Sequence, residues 1–128
     1  MILDSSAIIA ILMREPGADQ LLEKLTFSVN VSVGGPTLTE TAIVLATKLG
    51  SDPRELIEGF LEELEVTVVP FGDLHWQQSL DAYLRFGKGR HPAALNLGDS
   101  LSYAVAKVAG EPLLCVGKDF PKTDLPLA

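Results

Sequence analysis

The sequence predicts an α/β protein: a mostly parallel central sheet covered by helices in three α/β/α layers. Two observations carry this. Short apolar runs of strand character alternate with amphipathic stretches at helical spacing along all 128 residues, the pattern of a parallel sheet whose crossovers are helices. Gly- and Pro-containing breaks separate these runs, with no internal repeat, low-complexity segment or linker between them. A chain of this length is one domain, residues 1–128, and can bury a core without staples.

In chain order, Ile2 and Leu3 read as a short buried strand that Asp4 stops. Ser5 and Ser6 are placed to cap a helix running from Ala7 to Met13. Glu15-Pro16-Gly17 breaks it, and Ala18 to Leu25 forms a second short helix with Leu21, Leu22 and Leu25 on its apolar side. Phe27, Val29, Val31 and Val33 alternate with polar residues, which predicts a strand or part of one. Thr37 to Leu49 has apolar residues at helical spacing and is closed by Gly50. Asp52-Pro53-Arg54-Glu55 starts the next helix, which runs to about Leu64 with Leu56, Phe60, Leu61 and Leu64 inward and Glu58, Glu62, Glu63 and Glu65 on a solvated face. Val66 to Val69 is a compact strand. Asp73 opens a helix with Trp76, Leu80, Tyr83 and Leu84 at core spacing, so Trp76 is expected to pack inside. A basic, glycine-rich segment follows, Arg85 to Pro92. Asp99 to Ala109 is small or apolar on nearly all sides and is therefore central. Pro112 to Val116 is the next strand, Gly117 to Phe120 a turn, and Leu125 and Leu127 a last edge segment.

Composition narrows the function. The chain is 47% hydrophobic, so it folds. Its apolar runs are too short to span a membrane. The first residues lack the basic region of a signal peptide. One cysteine, Cys115, excludes an internal disulfide and a cysteine-cluster metal site, and its apolar neighbours make it a buried strand residue. A cytoplasmic protein is expected. The net charge of −7 argues against broad, non-specific nucleic-acid binding but not against a metal-dependent enzyme acting on RNA.

Four acids stand at the mouths of apolar elements: Asp4, Glu40, Asp99 and Asp119. Taken singly, each has a complete structural account. Asp4 and Asp99 can cap helices, Thr37-x-x-Glu40 matches a capping box, and Asp119 can shape a turn. Together they say more. Asp4 and Asp119 lie just past the carboxyl ends of predicted strands, the ligand edge of an open parallel sheet. Asp99 and Glu40 head helices that must pack close to that sheet. Carboxylates crowded at one edge repel unless something neutralises them. A hard divalent cation does so with oxygen ligands, and no thiol cluster or paired-histidine motif offers a zinc site. Mg²⁺ or Mn²⁺ is the expected ion, as one or two metals that could activate water for phosphodiester hydrolysis. Ser6 is placed to orient a ligand or to cap the helix. Arg85, Lys88 and Arg90 could meet backbone phosphates, or line an ordinary solvated turn. His75 and His91 lack an acid partner in sequence and stay outside the set.

Several segments carry a family resemblance that spans essentially the whole chain. Leu3-Asp4-Ser5-Ser6-Ala7, Pro36-Thr37-Leu38-Thr39-Glu40, Gly87 to Asp99 and Gly117-Lys118-Asp119-Phe120 resemble the motifs of the PIN-domain ribonucleases, and among them the VapC toxins of prokaryotic toxin–antitoxin pairs. The Gly87–Asp99 segment is the most specific of these. The resemblance implies a PIN-like fold and an acidic quartet, Asp4, Glu40, Asp99 and Asp119, that holds Mg²⁺ or Mn²⁺, with Ser6 in support. It also implies endoribonuclease activity in which water attacks phosphorus, leaving a 5′-phosphate and a 3′-hydroxyl. Structured RNA such as tRNA as substrate, a homodimer, and inhibition by a cognate antitoxin come with it. Two departures stand out. Ser100-Leu101-Ser102-Tyr103 replaces the Cys-Phe-Ala-Tyr more usual in this branch, a change expected to affect packing more than chemistry. Lys118 replaces an Asp or Asn, where it would weaken a second metal position or touch a phosphate.

Rival readings are distinguishable. A receiver-like Mg²⁺-binding phosphoacceptor would show adjacent acids after the first strand, where Asp4 is followed by Ser5. A dehalogenase-like phosphatase would carry an acid at position 6, where Ser6 stands. A non-catalytic α/β regulatory or interaction module would use its acids only as caps and bind no divalent cation.

Overall fold

The computed structural model describes residues 1–128 throughout. In chain order the elements are β1 (Ile2–Leu3), α1 (Ser5–Leu12), α2 (Ala18–Thr26), β2 (Ser32–Gly34), α3 (Gly35–Leu49), α4 (Arg54–Glu63), β3 (Thr67–Val69), α5 (Asp73–Phe86), α6 (Leu97–Ala109) and β4 (Leu113–Leu114). A 3₁₀ turn, Phe120–Lys122, follows. The four strands form one parallel sheet in the order β3-β2-β1-β4. Leu127 adds an isolated parallel bridge to Leu113, which is what the expected last edge segment amounts to.

The strands are short, yet β1 organises both layers because successive side chains face opposite ways. Ile2 points into a core with Leu113, Tyr103, Val105 and Phe86, on the side covered by α5 and α6. Leu3 points into the other core with Leu114, Val33, Ala7, Ile8, Leu25 and Phe60, beneath α1, α2 and α4. The chain leaves β1 into α1 on this second face. It leaves β4 toward Phe120, which packs in the first core. Adjacent strands whose continuations diverge to opposite faces open a crevice at their carboxyl ends.

Several expectations are corrected. The alternation from Phe27 to Val33 yields a strand only at Ser32–Gly34, while Phe27 and Val29 are 81% and 95% exposed. Only Val31 and Val33 of that run have sheet neighbours to cover them, so alternation alone did not produce pairing. On α4 the inward residues are Ile57 and Phe60, and Leu56 is exposed. The predicted core face of α5 is wrong: Trp76, Leu80, Tyr83 and Leu84 are all exposed. The helix instead turns Ala82 and Phe86 inward and ties Ser79 Oγ to the Ser100 carbonyl of α6 at 3.1 Å. Ser79 and Ala82 are small and let α5 lie close on α6, with Phe86 anchoring the end of the helix in the core. α6 is central as expected, with six of its residues buried. Cys115 sits half-buried just past β4. No helix is long and apolar enough to cross a membrane.

The close fit of α6 on β2 depends on Gly34. A Cβ there would lie 2.7 Å from Val105 Cγ2, well inside ordinary contact. Gly34→Ala is therefore expected to destabilise the fold by about 1–3 kcal/mol through overpacking, read as a lower midpoint in chemical denaturation. An unchanged midpoint would mean that Val105 can yield freely.

Candidate active site

Asp4 stands at the carboxyl end of β1, beside the exit of β4. Its backbone N–H continues the sheet ladder to the Leu114 carbonyl at 2.9 Å. Its side chain is only 3% exposed. A buried charge is costly unless it is well hydrogen-bonded, and three donors meet it. Oδ2 accepts from the Ser6 N–H at 3.1 Å and from Ser6 Oγ at 2.5 Å. Oδ1 accepts from Ser102 Oγ at 2.6 Å. The N-cap of α1 is thus Asp4 itself. This corrects the expected capping by Ser5 and Ser6. Ser6 instead donates to Asp4 and accepts the Val116 N–H at 3.0 Å, linking α1 to the exit of β4. Ser102, expected to affect packing more than chemistry, is a direct partner of an acid.

The expected capping box of Thr37 and Glu40 does not form. α3 begins earlier, at Gly35, with Pro36 in its first turn and Gly34 at the N-cap. Thr37 is therefore inside the helix and buried, with its hydroxyl 3.1 Å from Ser102 Oγ. Glu40 is free of capping duty. Its carboxylate lies against Gly98, where any Cβ would overlap it. Gly98 is the second residue of α6, so this contact carries Glu40 to the neighbour of Asp99.

Asp99 does cap, as the third residue of α6. Its N–H donates to Asn96 Oδ1 at 2.8 Å, and its Oδ2 accepts the Asn96 N–H at 3.2 Å. Asn96 as N-cap was missed, although Asn96-x-x-Asp99 carries the reciprocal capping pattern. Asp119 is exposed at the head of the 3₁₀ turn and makes no side-chain cap. Burial pushes the Asp99 carboxyl up to about 6, and the charges of Asp4, Asp119 and Glu40 push the same way, against the Asn96 N–H. The four acids singled out in the sequence are thus electrostatic neighbours.

Their donor chemistry fits a hard divalent cation: carboxylate oxygens, mutually repelling, with no competing soft ligand. Burial, reinforced by the charges of Asp4 and Asp99, raises the Cys115 thiol to about 11, so it stays protonated. His75 and His91 each use Nδ1 to accept a backbone N–H, from Gly72 and Ala93 at 3.0 Å. The side chains do not stand pre-closed, for no three acids, histidines or cysteine are gathered to grip one ion. Asp99 Oδ2 and both Asp4 oxygens are engaged in hydrogen bonds. Coordination would draw on Asp99 Oδ1, Glu40, Asp119 and the remaining acceptor position of Asp4 Oδ1.

The three basic residues separate. Arg85 reaches Asp124 at 3.4 Å and lies over the Phe86 ring, so it ties the C-terminal segment to α5. Asp124 is also held by Lys107 at 3.1 Å and by the Tyr103 hydroxyl at 2.6 Å. Arg90 lies over the Tyr83 ring, 5.4 Å from its centroid. Lys88 is exposed, beside the Gly87–Leu95 bridge that folds the loop down onto the core.

Known proteins match along the whole chain. The family model for the PIN domain matches residues 1–125. Ribonuclease VapC36 of Mycobacterium tuberculosis is 40% identical over 126 residues, covering 98% of this chain and 91% of the relative. Ribonuclease VapC of Mycolicibacterium smegmatis is 38% identical over 125 residues, covering 98% and 97%. Among solved structures, Mycobacterium tuberculosis VapC20, described as a sarcin-ricin loop cleaving toxin, superposes with a TM-score of 0.77 at 17% identity and covers 99% of this chain and 97% of its own. A toxin–antitoxin complex from Klebsiella pneumoniae gives 0.72 at 18%, covering 99% and 95%. At these identities the two structures speak to the fold alone.

The burial of Asp99, with the neighbouring charges added to it, has a measurable sign. The folded-state value for Asp99, about 6, lies above its ordinary 3.8. Between these values the folded chain holds a proton that the unfolded chain has released, so stability falls as pH rises through this window. Above it the full penalty is present. In EDTA at about pH 7.5, Asp99→Asn should therefore melt higher than the wild type by roughly 2–6 °C. That gap should shrink as the pH is lowered toward about 4. A variant that melts lower at neutral pH would mean that capping outweighs repulsion.

Proposed function

The chain belongs to the PIN-domain family, among its VapC ribonucleases, and we propose that it is the toxin of a toxin–antitoxin pair, an endoribonuclease dependent on Mg²⁺ or Mn²⁺. Asp4, Glu40, Asp99 and Asp119 hold the cation. The observation that carries this reading is that Asp4, Glu40 and Asp119 all act on the Asp99 carboxyl, which burial first and then these three charges hold above the ordinary range. A purely structural module has no use for such an arrangement, since each acid could cap or turn the chain without the others. When bound, the cation lowers the pKa of a water and neutralises charge on the leaving oxygen, which gives a 5′-phosphate and a 3′-hydroxyl.

The chain's own residues divide the remaining work. Ser6 and Ser102 hold the Asp4 carboxylate still. Lys88, on the exposed loop before α6, and Lys118, beside Asp119, would meet RNA phosphates, as would Arg90 on leaving the face of the Tyr83 ring. Arg85 is excluded from that role by its pairing with Asp124. RNA, including tRNA, is the substrate class, and this sets the compartment as the cytoplasm. A VapB-like antitoxin is the partner that restrains the activity. A homodimer is supported by the apolar strip of Trp76, Leu80, Tyr83 and Leu84 on α5, which the fold leaves uncovered.

The purified, antitoxin-free chain should cleave total RNA with Mn²⁺ and not with EDTA, and Asp99→Asn should lose at least about 100-fold. Cyclic-phosphate ends would overturn the metal-water route, and RNA binding without cleavage would leave a sequestering protein. Gly98→Ala offers a gentler probe. The added methyl meets only the far end of the Glu40 side chain, so the backbone of the first turn of α6 need not shift, but the Glu40 carboxylate is displaced. Cleavage should fall by about 10-fold or more with the melting temperature unchanged or higher. Full activity would remove Glu40 from the site.

A further inference from the structure

Two hydrogen-bonded arms converge on Asp4, and their direction can be deduced. A carboxylate only accepts, and a hydroxyl has a single proton to give. Ser102 Oγ spends its proton on Asp4 Oδ1 at 2.6 Å. The 3.1 Å contact between Thr37 Oγ1 and Ser102 Oγ must then run from threonine to serine. The first arm is Thr37 to Ser102 to Asp4. The second is the Val116 N–H to Ser6 to Asp4, through bonds of 3.0 and 2.5 Å. Every donor points toward the carboxylate, and bonds in such a chain reinforce one another.

The members of the arms are spaced along the acid-bearing segments. Thr37 is one helical turn before Glu40 on α3. Ser102 is one turn after Asp99 on α6. Val116 lies three residues before Asp119, and Ser6 two after Asp4. The two arms therefore join all four segments beneath the carboxylates. Thr37 and Ser102 are 2% and 0% exposed. A buried hydroxyl pair is costly unless matched, and apolar residues would fill the same space more cheaply.

We propose that Ser102, with Thr37 behind it, is a positioning residue that fixes the Asp4 carboxylate for the divalent cation. The inference rests on the reading that Asp4 holds a metal. Oδ2 is occupied by two donors from Ser6 and Oδ1 by one from Ser102. One acceptor position on Oδ1 remains unclaimed, and the hydroxyl of Ser102 determines where it points. Thr37 acts one step further back, by orienting that hydroxyl.

The test uses the full chain with Mn²⁺ as the titrant, followed by calorimetry, with melts in EDTA as the check on folding. Ser102→Ala should weaken Mn²⁺ binding by roughly 10-fold or more, the usual effect of losing a partner of a metal ligand. Thr37→Val should weaken it by less. In the double variant the Thr37→Val effect should vanish, because its only route to Asp4 is gone. In RNA cleavage by Ser102→Ala, kcat should fall and recover at high Mn²⁺ while KM for RNA stays put, a pattern that a mere packing defect does not produce. Wild-type Mn²⁺ affinity in folded Ser102→Ala overturns the proposal and leaves the metal reading intact. Absence of Mn²⁺ binding by the wild type overturns both. If Ser102→Ala does not fold, Thr37→Val decides: weakened binding supports the arm, and unchanged binding overturns it.

Discussion

The site depends on how one charge is buried. Asp4 lies at the end of the central strand, almost out of reach of solvent, where an unsatisfied carboxylate would cost several kcal/mol. Its three donors come from two helices that share no sequence neighbourhood, α1 through Ser6 and α6 through Ser102. For the second helix to reach it, α6 must lie tight against β2. That contact in turn needs the missing side chain of Gly34 under Val105. Sheet order, helix packing and the state of one carboxylate are thus a single constraint, since none of them can relax without exposing or orphaning Asp4.

Around that fixed point the other acids are satisfied to decreasing degrees. Asp99 spends one oxygen on capping α6. Glu40 is lodged against Gly98. Asp119 faces solvent. The gradient runs from a carboxylate at the sheet with three donors and one open acceptor position to a free one at the rim. Burying a carboxylate among like charges opposes folding, and the upward displacement of Asp99 reflects its burial first and those charges second. Natural sequences retain such opposition where activity needs it. Capping alone would have been better served by acids kept apart.

Much of this could be read before any coordinates. Local pattern alone placed Asp4, Asp99 and Asp119 at element ends, where they stand; it put Glu40 at a helix head as well, but α3 starts at Gly35 and Glu40 is its sixth residue. The order of helices and strands was readable for the same reason. What local pattern could not supply was pairing across the chain. Thr37 looked like a cap because the motif Thr-x-x-Glu is local, but Pro36 lets α3 start two residues earlier and carries Thr37 inward to Ser102, 65 residues away. Ser102 looked like packing because its acceptor is 98 residues distant. Arg85 looked like a phosphate ligand because Asp124, its partner, is far along the chain.

The error on α5 has a different origin. Helical periodicity reports that a face is apolar, not which molecule covers it. α5 carries two such faces. Ala82 and Phe86 serve the chain's own core, and the small side chains of Ser79 and Ala82 allow the helix to sit close to α6. Trp76, Leu80, Tyr83 and Leu84 are larger and more apolar, so a reading by hydrophobicity ranks them first and assigns them to the interior. In a lone chain that ranking would be a stability defect, since burying the larger face would remove more apolar surface from water. It ceases to be one if the larger face is buried against a second copy. The inversion, with the poorer face inside and the richer face outside, is what a helix shared between two cores would show.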